Sequence, residues 1–476
     1  MRLKASSMVK TKQRVIDHGE VFTPQHIVKR MCDLLPPECF NPETTFIEPG
    51  CGEGAFLLEI IARKIGYCHG AYSIHANIEQ FKDDICTAAN SISGVDILQD
   101  NVGTTRKVIR ACILNTEVSW AFRSHQELYA NLIQYVDSAL KTNIIQQDFL
   151  DAHTKLNRTS FDVVIGNPPY QMANGGFGRA ASPIYPTFVQ KAKALFPKYI
   201  AMIIPARWYS DGIGCGEFRG TMLNDPCLTT LVDFVRSREI FPQVDIKGGV
   251  CYFLWDRDKM FRRPSIKFTS VHRGGETECI IDPLEFDILI RYPQALPILR
   301  RLKVLNWCSL SVKVLSHNVF GLGTNCKLTD TGCLCYHRYG VGHVETFTDR
   351  LGILNKWKVV TPKAACSGLG NNNKPQQVIG RVFIVPPGAV CTSTFVVVDA
   401  FDTQEEAEKL VTYLKKPIVR FLIGLRKNSQ QVTRSKFRYV PYGEAWLNMS
   451  DEDWIRALHL TKEEQEFIAS LVAPMP

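Results

Sequence analysis

The chain has 476 residues, a net charge of +9, 45% hydrophobic residues and 22% charged ones. That composition is globular, leaves room for two or three domains, and excludes a disordered or fibrous chain. No apolar run is long enough to span a membrane, residues 1–14 lack the apolar core of a signal peptide, and 16 irregularly spaced cysteines fit buried thiols in a reducing cytoplasm better than a disulfide framework.

The first readable segment is Asp17-His18-Gly19-Glu20-Val21-Phe22-Thr23-Pro24, followed by an amphipathic run from Gln25 to Leu35. Thr23 before Pro24 reads as an N-cap with proline at the first helical position. Ile27, Val28, Met31, Leu34 and Leu35 share one face, and Pro36-Pro37 ends the helix.

Thr45 to Glu48 then reads as a short strand, running into Pro49-Gly50-Cys51-Gly52-Glu53-Gly54 and a helix to about Lys64. Gly50 and Gly52 allow a ligand close to the backbone. The turn is not the Gly-x-Gly-x-x-Gly dinucleotide pattern, nor does it carry the Lys-Ser/Thr of a phosphate-binding P-loop. The Glu48 carboxylate would repel a pyrophosphate. It suits a ligand with an α-amino group, which S-adenosylmethionine has.

A second strand is expected over 92–97. Asp96 at its end is placed to hold two ribose hydroxyls. A mainly helical insert, 102–140, leads to a third strand within 143–150. There Asp148 is placed to accept from an adenine amino group, and Phe149 to stack on the ring. Either acid reads equally well as a turn residue.

After Phe161-Asp162, the run Val163 to Ile165 reads as a buried parallel strand that stops at Gly166 and meets Asn167-Pro168-Pro169-Tyr170. Two prolines make a stiff exit from the sheet. As bare structure this is a strand-ending turn. As chemistry it suits an aromatic amine, whose lone pair is spread into its ring and which is therefore a poor nucleophile. The Asn167 side-chain oxygen and the Pro168 carbonyl can each accept one N–H, drawing the nitrogen toward tetrahedral geometry. Tyr170 can stack on a base pulled into the pocket.

Residues 171–182, rich in Gly, Ala and Ser, read as a mobile loop able to close over a substrate. A helix over 186–196 and strands near 199–204, 231–235 and 250–255 complete the pattern, which fades at the Arg- and Pro-rich stretch 257–264. That stretch is the expected boundary between a catalytic domain, 17–260, and a C-terminal domain, 261–476, with 1–16 as a basic arm. Beyond it, 403–425 reads as one helix. Cys326, Cys333, Cys335 and His337 lack zinc-ribbon spacing, so no metal is expected. The charge is uneven: residues 261–476 hold 28 Lys/Arg against 20 Asp/Glu. Lys409 to Arg438 has nine basic residues and no acid. Arg426, Lys427, Arg434 and Lys436 are the expected phosphate contacts on a polyanion, against the plainer reading of a solvated basic surface.

In this order the segments resemble the Eco57I-like, gamma-order adenine-N6 DNA methyltransferases of bacterial restriction–modification systems. The resemblance covers most of 17–256. It implies a Rossmann-like class I methyltransferase α/β sheet with helices on both faces, plus a mixed α+β target-recognition domain. It implies S-adenosylmethionine as cofactor and double-stranded DNA as partner. Phe22, Thr23 and Pro24 would then line the methionine end of the cofactor. Glu48, Pro49, Gly50 and Gly52 would approach its amino acid portion, with Asp96 at the ribose and Asp148 and Phe149 at the adenine. Asn167, Pro168, Pro169 and Tyr170 would handle the flipped base, with Phe241 on its other face. About 16 residues precede the first segment. The expectation is therefore methylation without a fused nuclease, beside any separately encoded restriction endonuclease. Competing readings are an RNA adenine or protein glutamine methyltransferase, which share the amine problem, or a non-catalytic DNA-binding defence subunit.

Overall fold

Seven expected strands and two that the sequence did not announce pair side by side into a sheet of nine. The computed structural model describes residues 21–151, 155–156, 158–171, 183–210, 214–272, 275–315, 318–366, 368–370 and 374–475. The basic arm 1–16 and the expected mobile loop, apart from Gln171, lie outside them. The strands are β1 (Phe46–Pro49), β2 (Ile92–Asp96), β3 (Ile144–Gln146), β4 (Val163–Gly166), β5 (Tyr199–Pro205), β6 (Leu228–Phe234), β7 (Val250–Asp256), β8 (Ile266–His272) and β9 (Gly275–Ile281). Their order is β3-β2-β1-β4-β5-β7-β6-β8-β9. β3, β2, β1, β4 and β5 are parallel, while β7 runs antiparallel between β5 and β6. Strand order reverses between β1 and β4. In an open α/β sheet that switch point opens a ligand crevice at the carboxyl ends of the strands.

Both faces of the sheet are covered, as the expected fold class requires. Along β5, Ile200, Met202 and Ile204 enter one apolar cluster, and Tyr199, Ala201 and Ile203 the other. The second cluster takes helices α1 (Gln25–Cys32), α2 (Ala55–His75), α3 (Ile78–Asn90), α4 (Gln99–Ile113), α5 (Thr116–Ala121) and α6 (Gln126–Asn143). The first takes α7 (Tyr185–Ala194) and α8 (Gly216–Leu223).

Several expectations change. α2 does not stop near Lys64, because Ile65 and Cys68 continue its buried face. The stretch 403–425 is two helices, Gln404–Lys415 and Pro417–Leu425, since proline cannot donate within a helix. The boundary at 260 fails: β8 pairs with β6, and β9 with β8, so the sheet continues to Ile281. Nor is 261–476 a separate domain. The helices at 404–415 and 417–425 bury Leu410, Leu414, Phe421 and Leu422 in the same cluster as β5 and β7. The portion with an apolar cluster of its own lies between Val319 and Val397. It holds two three-stranded sheets, one of Cys333–His337, Gly340–Val344 and Ala389–Cys391, the other of Trp357–Pro362, Phe383–Val385 and Phe395–Phe401. No helix among the described residues is long and apolar enough to cross a membrane.

Candidate active site

Asn167 follows the last residue of β4, where the Pro-Pro step turns the chain out of the sheet. Its Nδ2 donates to Thr23 Oγ1 at 3.1 Å and to the Val21 carbonyl at 3.2 Å. A carbonyl only accepts, so this contact fixes which end of the amide faces it. The Asn167 Oδ1 atom is consequently turned the other way. It is buried, and among the described residues it has no hydrogen-bond partner. A buried acceptor left unpaired costs about 1–3 kcal/mol, which marks a place where a donor from outside the chain is expected. The Pro168 carbonyl likewise has no donor among the described residues.

Thr23 therefore does not cap α1, as the sequence pattern predicts. The capping position is Pro24, whose carbonyl accepts from Ile27 and Val28, while no side-chain cap is made. The Thr23 hydroxyl is spent on Asn167 instead. Phe22, half-exposed, and Pro24 flank this contact.

The glycine turn leaves β1 beside the same loop. Gly50 and Cys51 donate their N–H groups to Val95 O, and Gly52 donates to Asp96 Oδ2 at 2.8 Å. Asp96 also accepts from Leu98 N at 2.8 Å and Asn101 Nδ2 at 3.2 Å. Gly52 has φ +52°, a left-handed conformation that favours glycine, and a β-carbon there would meet nothing within 4 Å. The turn is thus open on its outer side. A β-carbon on Gly50 would lie 3.5 Å from Pro169 Cδ, so turn and Pro-Pro loop adjoin. Glu48 is buried with one described donor, Leu57 N at 3.3 Å. Burial pushes its carboxyl well above the usual range, opposed by the Leu57 N–H and assisted by nearby Asp96. A cationic amine placed against it would offset that penalty.

Other expected contacts are less open. Asp148 lies beyond the end of β3, exposed, with its Oδ1 accepting from Leu150 N at 2.8 Å. Phe149 is only 2% exposed and stacks on Phe188 with centroids 5.6 Å apart. Its ring is packed in the apolar core against Phe188 in this structure. Tyr170 and Phe241 belong to one buried cluster. The Tyr170 hydroxyl is buried without a partner among the described residues, and burial raises its ionisation well above the usual value. The phenol stays neutral and is no base.

The expected phosphate contacts are largely overturned. Arg426, Lys427 and Lys436 are 2%, 4% and 1% exposed. Arg426 bonds to Asp287 Oδ1 at 2.7 Å and Ser435 O at 2.8 Å. Lys427 donates to the Cys366 and Gln430 carbonyls, and burial lowers its pKa to about 8. Lys436 donates to Arg426 O at 2.9 Å. The acid-free stretch thus supplies donors to backbone carbonyls, those of Cys366, Gln430, Ser435 and Arg426 among them. Arg434 alone of the four is exposed, and its Nε donates to Ser311 O at 2.7 Å. Lys436→Ala is therefore expected to destabilise by about 1–3 kcal/mol, by leaving a buried carbonyl unpaired. The salt dependence of polyanion binding, expected above from this stretch, should not change. Unfolding curves and a salt titration check both. Among the described residues no group of three or more His, Cys, Asp or Glu is arranged to hold a metal.

Two contributors escape sequence reading. Thr105 Oγ1 donates to Gly52 O at 2.8 Å, and Asn101 braces Asp96. Both project from α4, four residues apart, on its buried side. Two polar residues on a buried helix face are the available signal.

Residues 90–241 match the Eco57I restriction-modification methylase family. An uncharacterised adenine-specific methylase of Mycoplasma pneumoniae is 28% identical over 295 residues, covering 51% of this chain and 68% of that protein. The type II methyltransferase M.XhoI of Xanthomonas vasicola is 24% identical over 269 residues, covering 52% of this chain and 44% of that protein, so the match spans less than half of it. The type IIL restriction-modification enzyme MmeI, solved in complex with DNA, superposes with a TM-score of 0.50 at 9% identity, covering 90% of this chain and 68% of that one. The fold is thus shared with that restriction–modification enzyme.

Proposed function

We propose that this chain, with its Eco57I-type methylase segment, transfers a methyl group from S-adenosylmethionine to N6 of an adenine flipped out of double-stranded DNA, as the modification part of a restriction–modification system. One observation carries the reading. The buried, unpaired Asn167 Oδ1 is held in place by Thr23 and Val21, on a loop that adjoins the glycine turn.

The residues fit the cofactor. Glu48 offers a buried carboxylate to an ammonium, Gly52 leaves open space, and Asp96 is anchored at the carboxyl end of β2. When bound, S-adenosylmethionine supplies an electrophilic methyl group on a positively charged sulfur. The chain's own part is to make the amine nucleophilic. Asn167 Oδ1 and Pro168 O accept its two N–H bonds and hold its lone pair out of the ring. Both acceptors are fixed before the base arrives, one by the Thr23 clamp and one by the proline ring, so little reorganisation is needed at reaction. No base is needed to begin the attack, and the methylated nitrogen afterwards releases one proton to solvent.

The Tyr170 ring stacks on the flipped base. Tyr170→Phe should then keep most activity, while Tyr170→Ala should lose about 1–3 kcal/mol of base binding. Equal rates for the two variants in a steady-state assay would remove Tyr170 from the pocket.

The test of the whole reading is transfer of labelled methyl from S-adenosylmethionine to duplex DNA, structured RNA and a glutamine-containing peptide in parallel. Label in DNA alone supports the proposal. Label in RNA or peptide alone replaces the substrate, and cofactor binding without transfer to any of them points to a non-catalytic subunit.

A further inference from the structure

If the buried cations of 426–436 do not meet DNA, the contact surface lies elsewhere in the C-terminal half. The portion between Val319 and Val397, with its own small core, presents one candidate. Strand Cys333–His337 pairs antiparallel with Gly340–Val344, from Cys333 opposite Val344 to His337 opposite Gly340. Arg338 and Tyr339 form the two-residue tip. The ribbon is rooted by Cys335 and Val344, which are buried in the local core. Gly340–Val344 is the outer strand of its sheet, met on its outer side by one bridge, Thr329 to His343 near the root.

The tip has an unusual set of side chains for a solvated turn. Tyr339 is 80% exposed and Val341 52%. The Arg338 guanidinium lies 4.5 Å from the centroid of the Tyr339 ring, and Tyr339 N donates to His337 Nδ1 at 3.4 Å. No acidic residue occurs from Thr331 to Val344; Asp330 and Glu345 stand at the root. Among the described residues Arg338 has no carboxylate partner, and neither do Lys327 and Arg350 on the flanking loops. Elsewhere in this half many exposed cations are paired, as Arg263 is with Asp282, Arg300 with Glu285 and Arg456 with Asp453. A cationic tip without acids, carrying an aromatic ring and an apolar side chain on a rooted ribbon, matches a polyanion that also offers flat and methyl-bearing edges.

We infer that the hairpin 333–344 enters the major groove of the DNA, with Arg338 and Tyr339 reading base edges and so setting sequence preference. This rests on the DNA methyltransferase reading above. The major groove is about 12 Å wide and admits a two-stranded ribbon. There a guanidinium can pair with guanine O6 and N7, and an apolar side chain such as Val341 can meet a thymine methyl. Lys327 and Arg350 flank the ribbon as phosphate contacts, which position without specifying.

The experiment is methylation of a random-sequence duplex library by the full chain, read by single-molecule sequencing. The variants are Arg338→Ala, Tyr339→Ala, both together, and Lys462→Ala as an exposed cation outside this portion. Melting temperature and cofactor binding are measured on each. The expected result is a loss of about tenfold or more at the preferred site for Arg338→Ala, with relaxed preference at one base pair. The double variant should lose more, Lys462→Ala should match the parent, and folding and cofactor binding should be unchanged. An unaltered motif and rate in the double variant would overturn the inference. So would a uniform loss across all sequences with the salt slope reduced by about one, since that identifies a phosphate contact. A parent chain that binds cofactor but methylates no DNA fails the functional reading itself, and this inference with it.

Discussion

Asn167→Ala should lower methyl transfer by about 10²–10³-fold, the size seen when one preorganised polar group is removed from a transition-state site. Cofactor affinity should stay the same. The two effects separate because Asn167 acts on the acceptor amine, whereas Glu48, Gly52 and Asp96 form the turn assigned to the cofactor. An interaction made mainly in the transition state lowers turnover more than binding. Asn167→Asp should fare no better despite its retained oxygens. It cannot donate to the Val21 carbonyl 3.2 Å away, so the carboxylate is repelled from the position that the amide occupies. Thr23→Val should reproduce part of the defect in turnover, and Thr23→Ser should restore it, because the hydroxyl at 3.1 Å is one of the two acceptors, with the Val21 carbonyl, that hold the amide in orientation. Single-turnover rates with calorimetry of cofactor binding read both quantities. Near-normal turnover in Asn167→Ala would remove amine activation from this residue.

Arg291→Met should destabilise the fold by about 3–5 kcal/mol, the cost of leaving a buried charge without its partner. Asp233 in β6 is fully buried, and Arg291 grips it with Nε at 2.8 Å and Nη2 at 2.7 Å. Arg291 Nη1 also donates to Gly248 O at 2.6 Å. The guanidinium passes where Gly249 has no side chain: a β-carbon there would lie 2.6 Å from Arg291 Nη2 and 2.2 Å from Phe234 O. Burial raises the Asp233 carboxyl against the pull of the guanidinium, and Asp233 in turn holds Arg291 in its charged form. Replacing both partners, Asp233→Leu with Arg291→Met, should recover much of the loss, since removing an entire buried pair is often near neutral. Denaturant midpoints for the two single variants and the double measure the coupling directly. If Arg291→Met alone unfolds at the parent midpoint, the buried pair does not hold the fold together.

The difference between these two sites shows what the sequence could and could not carry. The strand and loop around Asn167 were legible because local signals agree: a short apolar run, a glycine, two prolines. β2 ended at Asp96 as its pattern indicates. The Thr23 clamp was not legible. A Thr-Pro pair before an amphipathic run has the local signature of a helix cap, and only a contact across more than 140 residues redirects the hydroxyl. The basic stretch misled for a related reason. Sequence charge does not distinguish a lysine facing water from one facing a backbone carbonyl. Lys427 reaches the Cys366 and Gln430 carbonyls across a fold of the chain, and Lys436 reaches Arg426 O just past the end of the Pro417–Leu425 helix. The domain boundary failed where composition suggested a linker. Arg257 to Pro264 is a turn between sheet strands, and nothing local reveals that β8 returns to pair with β6.

Nucleoside mass spectrometry of duplex DNA, incubated with the full chain and S-adenosylmethionine labelled in its methyl group, tests the central claim most directly. The account predicts labelled N6-methyldeoxyadenosine in DNA treated with the parent chain and about 10²–10³-fold less with Asn167→Ala. Label on cytosine N4 instead, or equal label from the parent and the Asn167→Ala variant, would contradict it.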